Sequence, residues 1–183
     1  MFFKKSIPLT FGAVLRFSIF LAISKLFLEQ DAAAIFVSAS LTQILMVVTA
    51  GRIAAAKAEA IKHEISCFEF NYLYKKSILR LLVSFLVIIF TLIIVGKNGR
   101  IDLNWYIKGG LLGLFFLLTN AHQIASEVQN TSLKYYSIVT AQLSLVLLSV
   151  IILNDFVLVL LAILTLEFLW LFSLRTKNVL FRI

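Results

Sequence analysis

Six long apolar runs follow one another along the chain, separated by short polar breaks. They cover about 9–28, 32–50, 78–95, 105–121, 136–153 and 156–174. A membrane-spanning helix needs about 20 mainly apolar residues. The pattern therefore predicts an all-α polytopic membrane protein, a bundle of six transmembrane helices in a single membrane domain. Only Glu29-Gln30-Asp31 separates the first two runs, and only Asn154-Asp155 the last two. Both pairs are expected to form tight hairpins, giving three successive hairpins in all. Asp31 is placed to cap the second helix, because its carboxylate can accept an orphan N–H of the first turn.

The one sizeable loop runs from Gly51 to Ser77. It is rich in helix formers, and Ile53, Ala56, Ala60, Ile65, Phe68 and Tyr72 approximate one apolar stripe. That stripe predicts a helix over about 53–72 lying along the membrane interface. The polar connector from Asn120 to Tyr135 is expected to extend the fourth and fifth helices beyond the membrane.

Lysine and arginine positions give the orientation. With the N-terminus inside, the cytoplasmic segments hold Lys4, Lys5, Arg52, Lys57, Lys62, Lys75, Lys76, Lys134, Arg175, Lys177 and Arg182. The opposite side holds Lys97 and Arg100, with Lys25 and Lys108 near its boundary. The positive-inside bias puts both termini in the cytoplasm, which requires an even number of crossings. The first run is too long for a signal peptide, holds Arg16 and lacks a small-x-small site, so it reads as a retained helix.

Composition supports the membrane class. The chain has 183 residues, 61% hydrophobic and 14% charged, with a mean hydropathy of +1.01. Soluble domains are about 45–50% apolar and about 25% charged. A single cysteine, Cys67, excludes an internal disulfide framework and a thiolate metal site. The net charge of +8 speaks to topology and lipid headgroups, not to nucleic acid.

Enzymatic chemistry is not signalled. There is no Gly-x-Ser for an intramembrane serine protease, and Asp31, Asp102 and Asp155 are scattered singly. Glu59, His63 and Glu64 come nearest to a metal-ligand spacing but read as a surface pair. No glycine loop cradles a phosphate. No cofactor, metal or catalytic residue is expected.

Ionisable groups inside spans are costly and mark function by default. Arg16 lies about 10 Å from the cytoplasmic end of the first helix, and Glu167 at a similar depth in the sixth. The two could pair across the bundle, or Arg16 could line a polar cavity that attracts an anionic headgroup, with Glu167 tuning it or carrying a proton. Gln43 and Gln142 sit mid-span, as interhelical glue or as a wet cavity wall. Gly109, Gly110 and Gly113 suit close helix packing. Trp105, Tyr106, Tyr135, Tyr136 and Trp170 fit interfacial belts. His122 reads as a headgroup-level residue.

The opening KKSIPLTFGAVLRFSIFLAISKLFLEQDAAAIFVSASLTQILMVVTAGRIAAAKAEA resembles the first two helices of the polysaccharide (O-antigen-type) flippases. These belong to the multidrug/oligosaccharidyl-lipid/polysaccharide exporter superfamily. Gly51 and Arg52 stand where that family ends its second helix and begins a basic cytoplasmic helix. NAHQIASEVQNTSLKYYSIVTAQ resembles the family's connector between helices four and five. The first turn departs from the family, with Asp31-Ala32-Ala33-Ala34 where a glycine is usual.

Family members have twelve to fourteen helices in two lobes, and this chain has one lobe's worth. The resemblance implies translocation of a lipid-linked oligosaccharide, a lipopolysaccharide or O-antigen precursor, across the inner membrane. The transporter would be completed by a homodimer partner or a separate second half. Charge and depth make Arg16 the expected anion contact, with Lys25 next and Gln43, Gln142 and Glu167 as further substrate-binding candidates. Membrane lipids are the other expected partner. The alternatives are a substrate-capture subunit of an energy-coupling-factor importer and a non-transporting accessory subunit.

Overall fold

The computed structural model describes residues 2–62, 65–97, 103–128 and 132–173. These form six helices: α1 (Phe2–Leu26), α2 (Glu29–Ile61), α3 (Cys67–Lys97), α4 (Leu103–Val128), α5 (Ser132–Leu153) and α6 (Val157–Ser173). The fold is all-α, with no strand among the described residues. His63 and Glu64, considered for metal binding, Asp102, one of the singly placed aspartates, and Arg100, Arg175, Lys177 and Arg182, counted for orientation, lie outside the described residues.

The expected interfacial helix over 53–72 does not form as one element. Its first half continues α2 without a break, because Gly51 is followed by a run of strong helix formers. Its second half opens α3. The break is set by a capping box: the Ser66 N–H donates to Glu69 Oε2 at 2.8 Å, and the Glu69 N–H donates to Ser66 Oγ at 3.2 Å. These two bonds satisfy orphan N–H groups reciprocally. Part of the apolar stripe packs on protein: Ile53 and Ala56 lie in the core and Ala60 and Ile65 against it, while Phe68 is exposed.

Asp31 is not the cap of the second helix. α2 starts at Glu29, its N-cap is Leu28, and no side chain bonds there; Asp31 lies within the first turn. Asp155 does cap α6, accepting from the N–H groups of Phe156 at 2.7 Å and Val157 at 3.2 Å. Asn154 before it takes a φ of 48°, a left-handed conformation that asparagine tolerates. Lys108 of α4 pairs with Asp155 at 3.5 Å. Partial burial pushes the Asp155 carboxyl up, but the two backbone N–H groups and Lys108 outweigh it and hold it below the ordinary carboxylate value.

Packing does not follow the chain as three hairpins. The most extensive contact is between α2 and α4, and the next is between α1 and α5. α4 also touches α3, α5 and α6, so it is the central helix. Leu112 through Thr119 are all buried. The α2–α4 approach depends on glycine. A Cβ at Gly109 would strike the Ile35 backbone, and one at Gly113 would lie 2.7 Å from Thr42 Cβ and 2.8 Å from the Ala39 carbonyl oxygen. Gly109 and Gly113 are four apart, the small-xxx-small spacing that lets helix backbones meet. Ser38 of α2 donates to the Tyr106 carbonyl across the same contact at 2.6 Å.

The exterior is apolar. Phe17 and Leu21 of α1, Leu86 and Phe90 of α3, Ile152 of α5 and Leu158 of α6 are among many exposed large hydrophobic side chains. Among the described residues, one stretch, Lys134–Leu153, is long and apolar enough on length and composition to cross a membrane, while the apolar helix Val157–Ser173 is shorter.

Gly113→Val is expected to destabilise the bundle by about 1–3 kcal/mol through overpacking. Gly12→Ala, whose Cβ would meet only Leu143 Cδ1 at 3.9 Å, is expected to be nearly neutral. Thermal unfolding followed by circular dichroism in mild detergent checks both, and equal midpoints for the two variants would refute the close approach. Asp155→Ala should cost about 1 kcal/mol as a lost cap. Because the folded carboxyl is held low, that stability is present above the ordinary carboxylate range and is lost as pH falls through the lowered value. A wild-type-minus-variant difference that grows toward acid pH would contradict it.

Candidate functional site

The centre of the bundle holds a carboxyl group surrounded by donors. Glu167 of α6 is 3% exposed. Its Oε1 accepts from Gln142 Nε2 of α5 at 2.6 Å. Its Oε2 accepts from the Tyr135 hydroxyl of α5 at 2.9 Å and is bonded to His122 Nδ1 of α4. A carboxyl removed from water is tolerated when hydrogen bonds replace its hydration. Three side chains from two helices do so here.

The positions follow from helical spacing. Tyr135 and Gln142 are seven apart on α5, two turns along one face. Thr119 and His122 are three apart on α4, and Glu167 and Trp170 are three apart on α6. Residues three, four or seven apart share a helix face. Each helix therefore turns one polar stripe inward.

An aromatic wall closes the network. The His122 ring lies 4.4 Å from the Trp170 ring between centroids, 5.8 Å from Tyr74 and 5.9 Å from Tyr135. Tyr74, near the start of α3, is fully buried. Burial pushes its phenol well above the ordinary tyrosine value, and the charge of Glu167 adds to the shift.

His122 needs its Nδ1 as the bonded nitrogen, so a neutral imidazole that donates there keeps Nε2 as an acceptor. That Nε2, the Tyr74 hydroxyl, Gln142 Oε1 and Arg16 Nε are buried polar atoms with no hydrogen-bond partner among the described residues. The site thus combines a carboxyl, an imidazole with an open nitrogen and a phenol.

Arg16 of α1 is partly buried and donates from Nη2 to Thr119 Oγ1 at 3.3 Å. Its guanidinium carbon lies 5.7 Å from the Phe116 ring centroid, and it stands within electrostatic range of Tyr135. The bonded partners of Glu167 are His122, Tyr135 and Gln142, and among the described residues no ion pair joins it to Arg16. The imidazole on α4 takes that place.

Of the candidates named from sequence, Glu167 and Gln142 are brought into direct contact. Arg16 reaches the same region through Thr119, one turn along α4 from His122. Lys25 and Gln43 stay outside, exposed, with Lys25 in the last turn of α1. Lys25 lies about 14 Å along the helix from Arg16.

Sequence reasoning missed the role of His122, which is wholly buried inside the bundle. It also misplaced Tyr135 and Tyr136, which are buried and bonded to carboxyls instead of standing in an interfacial belt. Tyr136 donates to Glu127 Oε1 at 3.0 Å, and Glu127 also pairs with Lys57 of α2. The usable signal was the spacing of polar residues on α4, α5 and α6 considered jointly. Among the described residues, no group of three His, Cys, Asp or Glu side chains is arranged to hold a metal ion. No protein-family model, no curated protein and no solved structure matches the chain.

Glu167→Leu strands His122, Tyr135 and Gln142, and an unsatisfied buried polar group costs about 1–3 kcal/mol each. The variant is therefore expected to lose about 3 kcal/mol or more, while Glu167→Gln, which keeps an acceptor oxygen, loses less. Melting in detergent ranks the two. Equal stability of Glu167→Leu and wild type would show that the network does not hold the bundle.

Proposed function

We propose that the chain is an inner-membrane protein of six spanning helices, both termini cytoplasmic, that works as one half of a flippase-type transporter for a lipid-linked oligosaccharide. The observation that carries this reading is the buried Glu167 network inside helices whose outer faces are apolar. Water-soluble bundles place their ionisable groups outside; intramembrane ones are rare, face the bundle interior and mark substrate or proton pathways. At 1.5 Å per residue α1 spans about 38 Å and α3 about 46 Å, more than a hydrocarbon core of about 30 Å, while α6 at about 26 Å is shorter.

Within this reading the substrate class comes from the resemblance of the first two helices and of the α4–α5 connector to polysaccharide flippases. Arg16 supplies the cation for a pyrophosphate group. Its planar fork suits phosphate oxygens, and Thr119 and Phe116 fix its direction. Glu167 and His122 form the proton-carrying pair. Arg16, Tyr74 and Tyr135 are the other titratable groups within reach. A second copy or a separate second half, with the same orientation, would complete a pair of lobes about an axis along the membrane normal.

Two experiments test this. In a strain whose lipid-linked oligosaccharide export depends on the chain, Arg16→Ala and Glu167→Gln are each expected to lower export about tenfold or more, a loss of about 1.4 kcal/mol. Immunoblotting must show normal abundance; unchanged export would remove these residues from transport. The native Cys67, exposed at the start of α3, reports topology. An impermeant thiol reagent is expected to reach it only after the membrane is opened. In a Cys67→Ser background, Gln30→Cys and Asn154→Cys are expected to be labelled from outside. The reverse pattern would overturn the orientation.

A further inference from the structure

A second site lies away from the buried network, between α3 and α6. It is a cleft of about 420 Å³ lined by Tyr72, Lys75, Lys76 and Leu79 of α3, Leu82 one turn on, and Leu171 and Phe172 of α6. The start of α3 and the end of α6 stand at one level, because Lys75 Nζ donates to the Phe172 carbonyl at 3.2 Å. The Lys76 ammonium lies 5.9 Å from the Tyr72 ring centroid, and Lys76 is exposed.

Among the described residues, the lining contains two cations and no acid. It is also ordered along the helix axis. Tyr72, Lys75 and Lys76 form one turn, and Leu79 and Leu82 the turns after it, about 6–10 Å further along. A molecule that fits both parts has an anionic head and an apolar tail lying alongside. The lysines also belong to the segment that the charge bias places on the cytoplasmic side, where the leaflet carries anionic lipid.

We propose that this cleft binds one anionic phospholipid of the surrounding bilayer, its phosphate held by Lys75 and Lys76 and an acyl chain against Leu79, Leu82, Leu171 and Phe172. The proposal rests on the membrane reading given above. It adds a partner and a place: a lipid that clasps the end of α6, the helix that carries Glu167, to the start of α3, the helix that carries Tyr74.

The test uses the full chain purified in mild detergent, with phosphatidylglycerol and phosphatidylcholine supplied at equal concentration and retention read by native mass spectrometry. Wild type is expected to retain phosphatidylglycerol over phosphatidylcholine by about fivefold or more, the effect of at least one lysine near an anionic headgroup. Lys75→Gln/Lys76→Gln is expected to bring the two lipids to parity, and Lys75→Arg/Lys76→Arg to keep the preference, which separates charge from folding. Lys134→Gln, on the same predicted side but outside the cleft, should change nothing. Parity in wild type, or an undiminished preference in the double glutamine variant, would overturn the proposal. So would displacement of the lipid by millimolar inorganic phosphate, which would mark the cleft as a free-phosphate site. Alkaline carbonate extraction of the same cells separates the two readings. A chain released with soluble proteins refutes the membrane reading, whereas one that stays in the membrane without lipid preference refutes only the cleft.

Discussion

A carboxyl group buried among apolar helices stays there only if donors replace the water it has lost. Glu167 meets that requirement with an imidazole, a phenol and a carboxamide drawn from α4 and α5. The requirement is directional, because each donor must aim at a particular oxygen. It therefore sets how α4, α5 and α6 are rotated about their own axes, something apolar packing alone leaves loosely specified. The aromatic rings around His122 then exclude other arrangements by filling the space beside it.

The same helix that supplies His122 also makes a close backbone approach to α2. One face of α4 meets α2 through Gly109 and Gly113, and about two turns beyond Gly113, Thr119 and His122 meet α1 and α6. Close approach at one end and hydrogen bonding at the other make α4 a strut between two halves of the bundle: α2 and α3 on one side, α5 and α6 on the other. A shift of α4 along its axis would both force the glycines off the Ile35 and Ala39 backbone and pull His122 away from Glu167. Steric fit and polar satisfaction are coupled through a single element.

Much of the fold was legible in the chain. The apolar runs located every helix, and the Asn154-Asp155 break located the α5–α6 turn. The glycines of α4 and the two ionisable residues Arg16 and Glu167 stood out as misfits within apolar sequence. Other features were legible but read wrongly. Ser66-Cys67-Phe68-Glu69 has the spacing of a capping box and marks the start of α3, yet the amphipathic stripe around it suggested a separate interfacial helix. The stripe was real; part of it packs on the protein core. Asp31 looked like a cap because it follows a turn, but the helix had already begun two residues earlier without one.

Sequence alone determined the helical class, the order of the helices, the small residues on α4 suited to close packing and the ionisable residues within apolar runs, but not the lengths of α2 and α3, which run well past their apolar runs. These depend on periodicity and composition, which are local. Only the tertiary structure decided which helices are neighbours, and so which polar groups meet. Two ionisable groups at equal depth suggested an Arg16–Glu167 pair. The packing of α4 between them instead gave Thr119 to Arg16 and His122 to Glu167. Depth along a helix can be counted from its ends, but rotation about its axis and the identity of its neighbours are set by the joint satisfaction of all six helices. No single segment carries that information.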